Sequence, residues 1–427
     1  MARTASATET RRPLWRRALR LLAIALSLVL ALVLAWAASV LWAMRASRPV
    51  ADGSVAVRGL ARSVAIERDA NGVPVITTTS RADAAFALGW LHGQERFFQM
   101  DTLRRSAAGE LSELMGPPTM AIDRTVRVHR FRARARAIVA AMSPGDKVLL
   151  DAYVAGVNQG LDALGASPFE YRLLLSRPKP WLPEDSILAV YAMYLNLQPA
   201  RPERELDRAR AEVRTGPAMA NLLYAGTTPL DAPIDASVLP VPPMPDSLKA
   251  ALPPPAPTRP PLERAEAGVV GSNNWAVSGA LSTSGAALVA NDMHLGLSVP
   301  GTWYRARLVV RGDPALDATG VTLPGVPFIV AGSTGRIAWG FTNSYIDTAD
   351  AVIIEETRPG FYRTPDGERP IRVTRERIGR RLGHATLEVR DTVWGPIIGT
   401  DAKGRTIAMR WTAHDPDAVR LAPFLAL

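Results

Sequence analysis

The chain has 427 residues, of which 48% are hydrophobic and 21% charged, a length that calls for more than one lobe and a composition that excludes wholesale disorder. There is no cysteine, which removes disulfides, thiol catalysis and cysteine-ligated zinc. The formal net charge is +10, but several arginines crowd residues 11–20 and the rest are interspersed with acids, so the basic, aromatic-interleaved run expected of a nucleic-acid binder is missing.

Residues 1–20 form a basic leading segment, and from Leu21 to Met44 no residue is charged. Residues 21–44 are long enough to cross a bilayer as a helix, and the arginines before them place the N-terminus in the cytoplasm. A cleaved signal segment is the rival, with Ala35-Trp-Ala as its cleavage site. The apolar run continues through Val40, Leu41 and Trp42, which favours an uncleaved anchor. In both cases the remainder is exported, to the periplasmic side of the inner membrane.

Alternation in Val64–Arg68 and Val73–Ile76 around Asn71-Gly72 predicts a hairpin, with Pro74 assigning its strand to a sheet edge. From Arg81 to Met115 the apolar residues Phe86, Trp90, Phe97, Phe98, Met100 and Leu103 recur mostly at helical steps. Further helices are predicted over 130–165, capped at Ser143-Pro144, and from Pro183 through Leu197. Residues 60–238 thus read as mainly helical. The proline-rich stretch within 239–271 cannot sustain a helix or a central strand. Beyond it, residues 272–427 read as short strands separated by Gly, Pro, Asn and Asp. His92 and Glu95 sit a turn apart, but such a lone pair is ordinarily a packing contact rather than a metal site.

At the start of this β-rich part lies Gly271-Ser-Asn-Asn-Trp-Ala-Val-Ser-Gly. Taken alone it is equally a turn opening a strand. If the Gly271–Ser272 bond were cut, Ser272 would carry both a hydroxyl and an α-amine that is partly unprotonated near neutral pH. Nucleophile and base would then share one residue.

Five motifs in order carry a resemblance: Asp69-Ala-Asn-Gly-Val-Pro; Ala87-Leu-Gly-Trp-Leu-His-Gly-Gln-Glu-Arg, continuing to Arg104-Arg-Ser-Ala-Ala-Gly-Glu-Leu; the Gly271 run; Ala290-Asn-Asp-Met-His-Leu-Gly; and Ile337-Ala-Trp-Gly-Phe-Thr-Asn. From about residue 60 to its end the chain resembles the penicillin acylase family of N-terminal-nucleophile amidohydrolases. The resemblance implies an α+β fold, a four-layer αββα sandwich with a mainly helical α-chain region. It also implies autocleavage at Gly271–Ser272, removal of the 239–271 spacer, and association of the resulting α and β chains. The substrate would be a small-molecule acyl amide, such as a β-lactam side chain or an N-acyl homoserine lactone. A long-chain lactone acylase, or a non-catalytic tethered binding protein, are the alternatives.

Carried over residue by residue, the resemblance makes Ser272 the nucleophile and base, His294 its orienting partner, and the Asn343 backbone N–H an oxyanion donor. Met193, Leu197, Leu295 and Phe341 would contact the acyl group. Leucine at 197 and 295, where phenylacetyl-preferring relatives have phenylalanine, argues against penicillin G as the natural substrate. Glu205, Asp347, Asp350 and the Ala349 carbonyl would bind a structural calcium ion, with no organic cofactor. The family's second oxyanion donor falls beyond residue 427 and its β chain is several times longer than 272–427. The C-terminal part of the fold is therefore expected to be missing, and this piece alone to be inactive.

Overall fold

The computed structural model describes residues 14–197, 202–227, 231–233, 235, 237, 240–244, 272–312, 314–343, 346–381 and 383–426. Helix α1 (Leu14–Ala46) is long and apolar enough to cross a membrane. After it come strands β1 (Ala65–Arg68) and β2 (Pro74–Thr78), then α2 (Arg81–Glu95), α3 (Phe97–Ala108), α4 (Leu111–Met115), α5 (Met120–Arg127), α6 (Phe131–Ala141), α7 (Pro144–Asp162), α8 (Phe169–Leu173), α9 (Pro183–Leu197), α10 (Pro202–Thr215) and α11 (Pro217–Leu223). The β part begins with β3 (Ser272–Val277), β4 (Leu288–Met293), β5 (Tyr304–Val310), β6 (Leu316–Thr322), β7 (Ile329–Ser333), β8 (Ala338–Trp339) and β9 (Ala349–Ile353). It continues with β10 (Glu356–Arg358), β11 (Phe361–Thr364), β12 (Gly367–Pro370), β13 (Arg372–Gly379), β14 (His384–Thr392), β15 (Gly395–Thr400), β16 (Thr406–Trp411) and helix α12 (Ala422–Ala426).

The six-stranded sheet has the order β1-β2-β5-β6-β7-β8. Its strand β2 corrects the edge assignment: β1 pairs with it antiparallel and β5 parallel, so it is interior. Pro74 is accommodated because it is the first residue of β2, and the β5 pairing starts at Val75 opposite Arg307. The predicted helix over 81–115 is broken into three. Arg96 leaves helical geometry (φ −136°) between α2 and α3, and Gly109 closes α3 in the left-handed conformation at φ 64°.

Helix α2 covers one face of this sheet, where Phe86, Leu88 and Leu91 pack in one core with Ile76, Ala306, Leu308 and Ile329. Helix α7 packs against α2 so closely that glycine is required on both. A Cβ on Gly89 or Gly93 would lie 2.2 Å from the carbonyl oxygens of Tyr153 and Val157, and one on Gly156 or Gly160 would lie 2.0 and 2.2 Å from those of Phe86 and Trp90. A second core joins α3, α6 and α9 to Phe328, Met409, Trp411 and Leu425. Within the helical part Asp101, fully buried, accepts from Arg104 Nε (2.7 Å), Arg105 Nε (2.8 Å) and Tyr171 Oη (2.7 Å).

His92 is a structural residue. Its Nδ1 lies 2.8 Å from Tyr153 Oη and its Nε2 3.0 Å from Thr322 Oγ1, while Glu95 bonds Arg68 and Tyr304 instead. Gly325 N–H donates to Tyr153 Oη (2.9 Å) and Thr322 Oγ1 donates to the Tyr304 carbonyl (3.0 Å). One neutral tautomer, protonated on Nε2, satisfies the whole chain of bonds. Burial, with a smaller contribution from the Arg96 charge, pushes His92 down to about 3, and burial likewise lowers His129 and His414, which pair at 3.0 Å.

Two expectations follow. Gly93→Ala should lower stability by about 1–3 kcal/mol, because the methyl meets backbone that cannot rotate away; Gly145→Ala, whose methyl would meet only Ser143 Oγ at an unstrained 4.0 Å, should be near neutral in the same urea titration. The unfolded chain protonates His92, His129 and His414 from about pH 6.5 downward whereas the folded one holds them neutral to lower pH, so unfolding takes up protons and stability falls as pH drops below that value. The urea midpoint should therefore be lower at pH 5 than at pH 7, and His92→Gln should reduce that difference.

Candidate active site

Strands β3 and β4 form a hairpin that is its own two-stranded sheet, with Ser272 opposite Met293 and Asn273 opposite Asp292. Ser272 is half-buried at its head. Gly271, the other side of the expected scissile bond, lies outside the described residues, as do residues 245–271 of the spacer.

The segment after β8 locks onto this hairpin. Thr342 Oγ1 donates to the Ser272 carbonyl at 3.2 Å. The Asn291 side chain donates to the carbonyls of Asn273 (3.2 Å) and Phe341 (2.8 Å), and accepts from the Phe341 N–H (3.2 Å). Gly340 is needed beside it, since a Cβ there would fall 2.7 Å from the Asn291 side chain. Asn343 Nδ2 donates to the Leu197 carbonyl at 2.6 Å, tying the same segment to the end of α9.

The structure thus brings together Ser272, Asn343, Leu197 and Phe341 of the sequence-predicted set. Met193 lies one turn before Leu197 on α9, half-buried against the second core. Phe341 is 48% exposed and meets Phe424 edge-on, with ring centroids 5.6 Å apart. His294 follows the strand partner of Ser272, and its Nε2 is bonded to Asp292 Oδ2 at 2.7 Å. Leu295 follows, half-buried, its N–H donating to the Met293 carbonyl at 2.7 Å. Sequence reasoning missed Asn291 and Thr342. Both lie inside quoted motifs, and the signal was Gly340, a glycine in a strand-like run that marks close approach.

The expected calcium ligands lie at β9. Glu205 Oε2 accepts from the Ala351 N–H at 2.7 Å. Burial pushes the Glu205 carboxyl up, and the nearby charges of Asp350 and Asp347 add to this, opposed by the Ala351 bond. An all-oxygen set that crowds negative charge fits a hard cation chemically. Its arrangement is open: among the described residues no three carboxylates or imidazoles close on one point. A cleft of about 980 Å³ lies elsewhere, between α6 and the β14–β16 strands, and is lined by Arg130, Arg134, Arg372 and Arg410.

In a fold of mixed helices and sheets, Ser272 thus heads a clamped hairpin. The chain belongs to the penicillin amidase family, whose model, described as Penicillin amidase, matches residues 63–427. It is 32% identical over 387 residues to acyl-homoserine lactone acylase QuiP of Pseudomonas aeruginosa, covering 83% of this chain and 42% of that one. It is 31% identical to the penicillin acylase 2 proenzyme of Pseudomonas sp. strain SE83, covering 86% and 48%. A solved penicillin G acylase from Alcaligenes faecalis aligns at 25% identity over 42% of this chain and 98% of that one, with a TM-score of 0.35. The chain spans less than half the length of the two curated relatives.

Asn291→Ala should leave the fold intact but release Phe341, costing about 1–2 kcal/mol locally. Hydrogen exchange at the Phe341 amide should quicken roughly tenfold.

Proposed function

We propose that this protein hydrolyses a linear acyl amide through an ester on Ser272, after cleavage of Gly271–Ser272 has made that serine an N-terminus. The carrying observation is the convergence on Ser272 of the segment Phe341–Asn343, which also contacts α9 at Leu197. Before cleavage, the Ser272 hydroxyl attacks the Gly271 carbonyl; the C–N bond breaks as the acyl group moves to Oγ and the α-amine of Ser272 is freed, and water then hydrolyses that ester to leave Gly271 as a carboxylate and restore the hydroxyl. In turnover that amine, through a water, takes the hydroxyl proton as Oγ adds to the substrate carbonyl. The tetrahedral intermediate expels the amine product, which receives the proton, and a second water hydrolyses the acyl-serine. The Asn343 backbone N–H serves as one oxyanion donor. His294, held by Asp292, orients the nucleophile.

Met193, Leu197, Leu295 and Phe341 form the acyl wall, which suits an apolar acyl chain. The relatives' names, acyl-homoserine lactone acylase and penicillin acylase, support a substrate among acyl homoserine lactones and β-lactam side-chain amides. Residues 60–238 belong to the α chain and 272–427 to the β chain, the 239–271 spacer is removed, and the fold is the four-layer sandwich. Glu205, Asp347, Asp350 and the Ala349 carbonyl are the residues that would hold calcium, whose charge would neutralise the crowded carboxylates. Residues 21–44 are retained as an anchor, with the body on the periplasmic side.

The protein as the cell makes it should separate into two chains, the second beginning at Ser272 by N-terminal sequencing. Ser272→Ala should remain a single chain and lose amide hydrolysis. Normal self-cleavage of that variant would exclude Ser272 as nucleophile.

A further inference from the structure

The end of α1 is docked on the body. Ala43 is fully buried and Val40 nearly so, while the apolar residues from Leu21 to Leu34 stay more than half exposed. Trp36 Nε1 donates to the Arg172 carbonyl at 3.4 Å, and the Arg172 guanidinium lies 5.9 Å from the Trp42 ring centroid. A Cβ on Gly165 would lie 2.9 Å from the Ala46 carbonyl oxygen. A bilayer core takes about 20 helical residues, roughly 30 Å. Counted from Leu21, the first residue past Arg20, that length ends near Val40, between Trp36 and Trp42. Tryptophan marks the membrane–water interface. Helix α8 touches α1 at that height, so a bilayer spanned by α1 from Leu21 would set its headgroups level with α8.

The turn leaving α8 is unusual in a way that suits this position. Leu175 adopts the left-handed conformation, φ 49°, where glycine is ordinarily found. The Leu175 N–H donates to the Arg172 carbonyl (3.2 Å) and the Ser176 N–H to the Tyr171 carbonyl (2.8 Å), which closes the helix and fixes the turn. This conformation disfavours leucine, yet its side chain is 75% exposed, beside Leu173 at 44%. Arg172 and Arg177 flank the two leucines and are exposed, and Arg381 donates to the Leu174 carbonyl. Apolar tips with a basic rim match an anionic bilayer surface.

We propose that residues 173–177 are a membrane-contact element, in which Leu173 and Leu175 enter the headgroup layer and Arg172, Arg177 and Arg381 meet lipid phosphates. This rests on the retention of α1 as an anchor, and it adds a fixed orientation of the body on the bilayer. The absence of cysteine makes single-site labelling direct. Leu175→Cys, Leu28→Cys on α1 and Leu223→Cys on α11 are each labelled with an environment-sensitive fluorophore in the full chain. Each is then reconstituted in phosphatidylcholine–phosphatidylglycerol vesicles carrying shallow or deep nitroxide lipids. Leu28 should be quenched by the deep nitroxide, and Leu175 by the shallow one several-fold more than Leu223. The Leu175 quenching should weaken in pure phosphatidylcholine. Deep quenching at Leu28 with Leu175 no different from Leu223 overturns the contact element and leaves the anchor standing. No quenching at Leu28 overturns the anchor and the contact element together.

Discussion

Helices α2 and α7 lie so close that the backbone oxygens of each rest where side chains would begin on the other. Much of the rest is placed by this contact. It brings Tyr153 of α7 against His92 of α2, and His92 against Thr322 of β6. A larger residue at any of the four glycines would push α7 outward and break that chain of bonds. With it would go the Tyr153 hydroxyl that receives the Gly325 N–H, and a buried donor left unpaired is costly. The helix contact is therefore also a constraint on the sheet, although the two are distant in sequence.

The same region joins the two parts that the proposed cleavage would separate. Strand β2, from the helical part, is hydrogen-bonded in parallel to β5, from the part beyond the spacer. Helix α2 buries Phe86, Leu88 and Leu91 against side chains from both strands. Both the β2–β5 pairing and the burial of these α2 side chains are made by residues outside 239–271. The hairpin that carries Ser272 differs. Its outward residues Trp275, Leu288 and Val289 remain exposed, and its attachment runs through the polar clamp of Asn291, Thr342 and Asn343.

The sequence made the architecture largely legible because periodicity and glycine–proline punctuation report local backbone preference. The Ser143 cap and the Pro183 helix start follow from one-dimensional signals. The interior position of β2 did not, because Pro74 is a warning only about its own missing N–H, and its place at the strand's first residue is visible only once β5 pairs beyond it. The site divides in the same way. Ser272 and the Phe341–Asn343 segment stand out by motif, whereas the clamp formed by Asn291 is a side-chain bond between residues 50 apart that no local pattern announces.

The Arg104-Arg105 motif shows how a legible signal can carry structure rather than chemistry. Asp101 receives both guanidinium groups and the Tyr171 hydroxyl, and Asp185 receives Arg104 (2.5 Å), Arg132 (2.9 Å) and the Leu182 N–H (2.8 Å). Burial and the Asp101 charge both raise the Tyr171 hydroxyl, which keeps it a donor. Removing charges from water offsets much of their attraction, so such a network is a weak source of net stability. Its effect is geometric. A planar guanidinium such as Arg104, with donors committed to Asp101, Asp185 and the carbonyls of Lys179 and Pro180, accepts only one arrangement of α3 relative to α9. Since Leu197 ends α9 and receives Asn343, a charge pair inside the helical part sets where the segment clamped on the Ser272 hairpin meets α9.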